Sequence, residues 1–282
     1  MRTLITGAQG YIGRTLVGVM NDEEISFPTR DEIKLDDYSQ VEKYLKDNEI
    51  RKVIHLAACV KNGENSELFS TNIHGLYILL SACISCNISH FVFASTNNVY
   101  GTNHQDVIEE TSDCHPDFNN AYALSKYVGE LLVTDLLKNS GVLYAIARIS
   151  DVYGHEQKHG NLLKEIVRKA KNKENQVLYG SGNRMRDYIN VNDVALALAY
   201  LSKKSSTGVY NISTGKGLSV KTIIEYIATV QNTGIERISV DREDISKIVL
   251  DNKKLKSLGF DPTIELFDWL KKEISEEKGD DR

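Results

Sequence analysis

A glycine-rich turn near the N-terminus constrains the fold of this chain more than any other feature. The β-prone residues 3–6 precede Gly7, Gly10 and Gly13, and residues 14–17 read as the start of a helix. In a strand–turn–helix unit of this kind, the first glycine permits the tight turn, the second lets the backbone approach a pyrophosphate, and the third allows close packing of helix on strand. The helix N-terminus then offers unpaired N–H groups to phosphate. The turn therefore predicts a dinucleotide-binding fold.

Strand and helix patterns alternate along the chain after this turn. Strands are predicted at residues 2–6, 24–28, 52–57, 90–95, 142–149 and 208–212. Helices are predicted near residues 11–20, 38–48, 66–87, 119–139 and 192–203. This alternation is typical of a parallel sheet covered on both faces. The predicted class is α/β, a doubly wound parallel sheet of the Rossmann type.

The pattern loosens from about residue 155, which indicates a second, smaller domain. A helix at 160–172, a strand near 176–178 and helices at 219–230 and 264–276 are predicted there. We expect residues 1–154 to form the dinucleotide-binding domain, residues 187–213 to return to it, and residues 155–282 to be mainly a substrate-binding domain. The two domains would interleave.

Composition and charge exclude several classes of function. The formal net charge of −5 provides no basic surface for nucleic acid. No apolar run reaches the ~20 residues of a membrane helix, and a strand starting at about residue 2 leaves no room for a signal peptide. The four cysteines are too few for a disulfide scaffold, and Cys83 and Cys86 lack the second pair of a structural zinc site. We expect a cytoplasmic protein without a metal site.

Tyr122 and Lys126 are the strongest candidates for catalysis. Their spacing of four residues stacks the two side chains on one face of a helix. An ammonium beside a phenol favours the phenolate, so Lys126 is expected to lower the tyrosine pKa from ~10 towards working pH. A general acid/base that handles a sugar or alcohol hydroxyl needs such a pKa.

A series of motifs connects the glycine turn to this pair and continues beyond it. The motifs occupy residues 7–13, 55–58, 72–75, 95–101, 122–126, 148–154, 180–189, 191–195 and 209–212. With them, the chain resembles the extended short-chain dehydrogenase/reductases that act on nucleotide sugars, the NAD(P)-dependent epimerase/dehydratase group. The resemblance runs nearly end to end and implies a nucleotide-diphosphate sugar as substrate.

The resemblance assigns roles to individual residues. It implies a catalytic set of Thr96, Tyr122 and Lys126. The residues implied in cofactor binding are Gly7, Gln9, Gly10, Tyr11, Ile12, Gly13, Arg30, Leu35, Leu56, Ala57, Ala58, Ser95, Tyr122 and Lys126. Those implied in substrate binding are Thr96, Asn98, Asp151 and Arg186, where Arg186 would pair with the diphosphate and Asp151 replaces a usual asparagine. The family also pairs the predicted helices 66–87 and 119–139 across a two-fold axis, so a homodimer is expected.

The choice of cofactor depends on the end of the second predicted strand. NAD enzymes of this fold place an acidic residue there for the ribose 2′-hydroxyl, whereas an arginine can pair with a 2′-phosphate. Here Thr29 and Arg30 occupy the position and Asp31 follows. We interpret this as NADP(H), and the alternative is NAD(H) with Asp31 on the ribose.

Asn97 and Asn98 reduce the number of reactions that this chain is expected to catalyse. The related 4,6-dehydratases carry an Asp-Glu pair there, and the 3,5-epimerase/reductases place a cysteine at the position of Asn98. Two neutral amides cannot act as acid and base, and His155 and Glu156 are interpreted as a polar rim of the pocket. NADPH-dependent reduction of a 4-keto nucleotide sugar at C4 therefore remains, with NAD-dependent C4 epimerisation as the alternative. A non-catalytic dinucleotide sensor would be expected to lose the catalytic set, which this chain keeps.

Overall fold

Six parallel strands form the central sheet of the protein, whose computed structural model describes residues 1–60, 65–101, 107–155, 162–240 and 246–275. The strands are β1 (Arg2–Thr6), β2 (Ile25–Ser26), β3 (Ile50–His55), β4 (His90–Thr96), β5 (Leu143–Ile149) and β9 (Gly208–Ile212). Their order, β2-β1-β3-β4-β5-β9, puts the topological switch between β1 and β3. Ligands of open α/β sheets bind outside the carboxyl ends of the strands at such a point. The predicted doubly wound fold is confirmed.

Helices cover both faces of this sheet. One face carries α1 (Tyr11–Val19) and α7 (Val191–Lys204), and the other carries α2 (Tyr38–Asp47), α4 (Leu76–Ser85) and α5 (Ala121–Leu137). Leu16 and Leu198 on the first face and Leu80 and Val133 on the second are fully buried. Burying one such side chain contributes about 1.5–3 kcal/mol, so both helix layers are held mainly by apolar contact with the sheet.

A short helix and a π-helical stretch lead into α4. These are α3 (Asn65–Phe69) and Ser70–Gly75. By length and composition alone, the run Ser66–Ser85 is apolar enough to cross a membrane, contrary to the expectation from the sequence. Leu76, Leu79 and Leu80 are fully buried within the core of the protein, however. Because a core helix passes the same test, the run is weak evidence for a membrane span.

The second region is built around a smaller mixed sheet. Its strand β8 (Met185–Asn190) pairs with β6 (Asp151–Tyr153), β10 (Gly217–Ser219) and β12 (Lys247–Ile248). A separate parallel pair consists of β7 (Gln176–Tyr179) and β11 (Ile235–Ile238). The helices of this region are α6 (Leu162–Lys171), α8 (Val220–Gln231), α9 (Lys253–Ser257) and α10 (Leu266–Ser275). Three of them, α6, α8 and α10, share a core of their own.

The chain moves between the two regions at slightly different points from those expected. Residues 187–190 belong to β8, which runs parallel to β6 with Asp151 opposite Tyr188. The chain rejoins the central sheet with α7, whose first residue is Val191, and then with β9. The interleaving of the two regions follows from this path, because α7 and β9 complete the central sheet after the chain has visited the second region.

Candidate active site

A cleft of about 620 Å³ opens at the carboxyl ends of β1 and β3. Its volume lies in the ordinary range for small-molecule sites. The cleft lining includes residues predicted to bind the cofactor, namely Gly7, Gln9, Gly10, Arg30, Leu35, Leu56, Ala57 and Ala58. The structure therefore brings together side chains and backbone from the glycine turn and from the segments after β2 and β3.

Steric constraints explain why glycine occupies two positions of the turn. Gly7 has a φ of +73°, and a Cβ there would lie 2.6 Å from the backbone nitrogen of Ala57. A Cβ on Gly13 would lie 2.2 Å from the carbonyl oxygen of Gly7. Helix α1 has no acidic residue in its first turn, and its N-cap residue, Gly10, has no side chain that could cap the backbone N–H groups. The helix N-terminus is therefore open to an anion such as a dinucleotide phosphate.

Two residues predicted for this turn direct their side chains elsewhere. The Tyr11 hydroxyl lies against Gly154, since a Cβ added to Gly154 would come within 2.8 Å of it. Ile12 packs against the core between the sheet and helices α1 and α7. Only the main chain of these two residues is left to face a ligand at the turn.

Two cations line the cleft where the second strand ends. Arg30 and Lys34 are both part of the lining, whereas Asp31 is exposed and does not belong to it. Glu32, which the sequence did not single out, accepts a hydrogen bond from the Thr29 backbone N–H at 2.7 Å. That hydrogen bond lowers the pKa of the Glu32 carboxyl. The segment after β2 therefore brings two cations and the Asp36 carboxylate to the cleft, while the Glu32 carboxylate is hydrogen-bonded to the backbone of its own segment.

Helix α5 presents Tyr122 and Lys126 to β4. The helix begins after Asn120, whose side chain accepts a hydrogen bond from the Ala123 N–H at 3.0 Å. The Lys126 ammonium donates to the Ala94 carbonyl oxygen at 2.8 Å and lies 5.9 Å from the centre of the Tyr122 ring. Ala94 is two residues before Thr96 in β4, so the strand gathers the predicted catalytic set at its carboxyl end.

The expected lowering of the tyrosine pKa does not occur in the structure. Burial raises the pKa of Tyr122 to about 12. Burial also lowers the pKa of Lys126 to about 8, and the nearby Glu130 carboxylate opposes this fall. Desolvation of both groups therefore outweighs the attraction expected from their spacing. Tyr122 enters the site as a neutral phenol, which suits it to donate a proton.

Ser95 does not face the cleft as expected. Side chains alternate along a strand, and Ser95 shares the face of Phe91 and Phe93 that packs against α5. Its hydroxyl donates to the Glu130 carboxylate at 2.5 Å. Arg148 donates to both oxygens of the same carboxylate, from Nε at 3.1 Å and from a terminal nitrogen at 2.7 Å. Ser95 thus belongs to a buried charged cluster that ties α5 to the sheet.

Three of the predicted substrate residues, Thr96, Asn98 and Asp151, lie at or just after the carboxyl ends of β4 and β5, and the fourth, Arg186, lies in β8. The Asn98 backbone N–H donates to Thr96 Oγ1 at 3.3 Å, and the Asn97 amide donates to Asp151 at 3.0 Å. Arg186 is only 6% exposed, and its guanidinium donates to the carbonyl oxygens of Met185 and Ser246. Its contact with the diphosphate remains a prediction, because these hydrogen bonds would compete with one.

Asp187 and Asp193, two acidic residues close to Arg186 in the sequence, are hydrogen-bonded to other groups. Asp187 accepts hydrogen bonds from Thr214 and Gly215, and Asp193 accepts from Thr263 and Ile264. The charged group near Arg186 is Asp151, whose carboxylate lies 3.9 Å from the arginine Nε. The two side chains lie on neighbouring strands, since β6 and β8 pair.

Other polar residues of the motifs are structural. Asn72 lies in the π-helical stretch and accepts a hydrogen bond from the Cys59 N–H at 2.7 Å while donating to the Ser125 hydroxyl at 2.9 Å. His155 is half exposed and lies 2.7 Å from the Glu273 carboxylate, which agrees with a polar rim. Glu156 lies outside the described residues. Among the described residues, no group of three metal-ligating side chains could hold a metal ion.

Several known proteins are similar to this chain in sequence or in structure. A Haloferax volcanii protein, the low-salt glycan biosynthesis protein Agl12, is 27% identical over 100% of both chains. A Methanocaldococcus jannaschii protein, provisionally named a UDP-glucose 4-epimerase, is 28% identical over 99% of both chains. The Thermus thermophilus UDP-glucose 4-epimerase in complex with NAD superposes with a TM-score of 0.81, at 25% identity over 97% of this chain and 98% of that one.

The Thermotoga maritima UDP-glucose 4-epimerase with UDP-glucose superposes with a TM-score of 0.83, at 25% identity over 97% of both chains. The family described as the NAD dependent epimerase/dehydratase family matches residues 3–213. This match covers the central sheet and most of the candidate site, and it confirms the resemblance stated from the motifs. The chain therefore belongs to the NAD-dependent epimerase/dehydratase family.

Proposed function

We propose that this enzyme reduces a 4-keto nucleotide sugar at C4 with NADPH. The observation that supports this most directly is the catalytic set at the end of β4, where a neutral Tyr122 lies one helical turn from Lys126 and β4 ends at Thr96. The nicotinamide would supply the hydride. Tyr122 would donate its phenolic proton to the carbonyl oxygen, and the Lys126 charge would favour the phenolate that remains.

The neutral amides beside Thr96 support reduction over dehydration. Asn97 is 2% exposed, and its amide donates to Asp151. Asn98 follows it in the turn after β4. Neither amide can exchange a proton at working pH, so an elimination of water would lack its acid and base. Proton transfer at a single oxygen, by Tyr122, is the chemistry that this set supports.

The two cations at the end of β2 support NADP(H) as the cofactor. Arg30 and Lys34 line the cleft together with the acidic Asp36, whereas Asp31 does not, so the two cations outnumber the carboxylate in this part of the lining. A charge-assisted contact with a 2′-phosphate is worth ~1.5–3 kcal/mol, or roughly ten- to a hundredfold in affinity. Arg30→Ala should erase most of a preference for NADPH over NADH, and that preference should shrink with added salt. Equal affinities in the unmodified protein would exclude this assignment.

C4 epimerisation is the second candidate. Two similar structures are UDP-glucose 4-epimerases, and one of them contains NAD. The same Tyr122 and Lys126 would then remove and return one proton. An epimerase holds its cofactor through the cycle, whereas a reductase releases it after each turnover. NAD that co-purifies with the protein and never exchanges would therefore favour the epimerase.

A groove in the second region offers a place for the nucleotide. Its volume is about 480 Å³, and Tyr179, Arg184 and Val240 are part of its lining. The Tyr179 side chain is 62% exposed, so its ring is free to stack on a base. Arg184 adds a positive charge suited to phosphate. We include the groove in the proposal as the nucleotide subsite.

Assembly as a homodimer is part of the proposal. Leu76, Leu79 and Leu80 of α4 are fully buried in the core and are not available to a partner. Tyr77 on α4 and Leu131 on α5 are 46% and 52% exposed, respectively. Helices α4 and α5 are neighbours on one face of the sheet, so these two side chains provide the apolar surface that a two-fold interface needs.

The proposed reaction is tested by cofactor oxidation. The purified enzyme is incubated with NADPH or NADH and a panel of UDP- and dTDP-linked 4-keto-6-deoxyhexoses, and UDP-glucose with NAD⁺ serves as the epimerase arm. We expect NADPH to be consumed with at least one keto sugar and one 4-hydroxy sugar to appear. Interconversion of UDP-glucose without net cofactor change would favour the epimerase, and no turnover in either arm would contradict both candidates.

A further inference from the structure

We propose that Asp151 and Asn97 are positioning residues that fix the direction of the Thr96 hydroxyl, so that Thr96 accepts a hydrogen bond from the C4 hydroxyl of the sugar. This inference rests on the proposed function and concerns residues of this chain alone. It gives a role to Asn97 and Asp151, two of the positions at which the sequence analysis found a departure from the family pattern.

A directed chain of hydrogen bonds links the three side chains. Thr96 Oγ1 lies 3.2 Å from the Asn97 side-chain oxygen, and the Asn97 side-chain nitrogen lies 3.0 Å from an oxygen of Asp151. An ionised carboxylate can only accept hydrogen bonds. The Asn97 amide must therefore turn its NH₂ group to Asp151 and its oxygen to Thr96. An amide oxygen also only accepts, so the hydroxyl proton of Thr96 points to Asn97.

Counting the hydrogen bonds of the Thr96 hydroxyl shows which further hydrogen bond it can make. A hydroxyl has one proton and two lone pairs. The proton is used by Asn97, and one lone pair accepts from the Asn98 backbone N–H at 3.3 Å. The last lone pair can only accept a hydrogen bond. Thr96 can therefore hold a sugar hydroxyl, whereas the carbonyl form of the sugar receives its hydrogen bond and its proton from Tyr122.

The position of Asp151 suits this role. β4 and β5 are paired, with Thr96 opposite Ile149, and β6 begins two residues later with Asp151. Thr96 and Asn97 are buried, whereas the Asp151 side chain is 34% exposed at the edge of the site. The second carboxylate oxygen lies 3.9 Å from Arg186 Nε, which compensates its charge. A carboxylate outside the buried pair thus determines the orientation of the amide inside it.

A mutant cycle on turnover tests the proposal. The variants are Asp151→Asn, Asn97→Ala and Thr96→Val, each alone and in pairs, with Asp135→Asn on the exposed face of α5 as the control. Rates are measured in the direction that oxidises the C4 hydroxyl, with the oxidised cofactor and the 4-hydroxy form of whichever sugar nucleotide of the panel above the unmodified enzyme turns over. Residues that act as one unit have non-additive effects. Melting temperatures are recorded for every variant.

We expect Asp151→Asn and Asn97→Ala each to lower kcat/KM for oxidation of the 4-hydroxy sugar about tenfold, because the hydrogen bond that Thr96 accepts forms only with the hydroxyl form. The double variant should be no slower than either single variant, and neither change should matter once Thr96 is valine. Additive losses in every background, or losses matched by falls in melting temperature, would overturn the inference while the proposed function stands. If Asn97→Ala fails to fold, the pair Asp151→Asn and Thr96→Val gives the same cycle. No turnover of any sugar by the unmodified enzyme would overturn the proposed function and this inference with it.

Discussion

Replacing Lys126 by methionine should stabilise the cofactor-free protein while removing its activity. The ammonium is 3% exposed, and burial lowers its pKa from the ordinary 10.5 to about 8. This difference means that the fold penalises the charged form by about 3 kcal/mol at pH 7. The lost hydrogen bond to the Ala94 carbonyl oxygen offsets about 1 kcal/mol. The net gain in the free energy of unfolding should be about 2 kcal/mol.

The direction in which stability changes with pH distinguishes the loss of the buried Lys126 charge from better packing of methionine as the cause of the gain. Between pH 8 and 10.5 the unfolded chain binds the Lys126 proton and the folded chain does not, so the unmodified protein becomes more stable as pH rises. Its disadvantage relative to Lys126→Met should therefore shrink by about 2 kcal/mol between pH 7 and pH 9.5.

Urea unfolding without cofactor, at both pH values, measures this directly. Lys138→Met, which changes a lysine that is about half exposed at the end of the same helix, is the matched control and should show no pH-dependent gain. A Lys126→Met protein that is less stable than the unmodified one at pH 7, by an amount that does not change at pH 9.5, would refute the reasoning.

Three further predictions concern the same helix. Tyr122→Phe should lower kcat by ~10² or more while isothermal titration shows that cofactor binding persists, because the change removes the proton donor and leaves the ring and Lys126 in place; near-full activity would contradict its role. Glu130→Gln should cost about 3–5 kcal/mol in urea unfolding, because it removes the counter-charge of the buried Arg148, and the double change Glu130→Leu with Arg148→Met should restore most of it. Leu131→Asp should convert a dimer to a monomer by light scattering, and a monomeric unmodified protein would exclude the interface.

Local sequence patterns were sufficient to predict the central sheet. The predicted strands 2–6, 90–95 and 208–212 match β1, β4 and β9 within one residue. Strands buried on both faces are nearly continuous apolar runs, and the turns between them carry glycine, so the pattern is strong wherever burial is complete. The short strands β6, β8, β10 and β12 were not predicted, because they are stabilised by pairing with one another more than by their own composition.

Sequence patterns likewise predicted one part of the candidate site and could not predict another. The glycine turn and the spacing of Tyr122 and Lys126 predicted where these residues lie, since both depend on neighbours within a few residues. The tyrosine pKa could not be predicted from spacing, because burial by distant parts of the chain determines it. Similarly, only the strand alternation on the folded sheet showed that Ser95 bonds Glu130 and does not face the cleft.

Local sequence patterns account for the doubly wound fold, the dinucleotide turn and the residue types available for proton transfer. These properties follow from short-range geometry: the tight turn at Gly7, the period of a helix and the period of a strand. The tertiary structure alone decided the partners of each polar group, such as Asp151 for the Asn97 amide and Arg148 for Glu130. Hydrogen bonds and desolvation depend on which distant segments meet, and this cannot be read from neighbours along the chain.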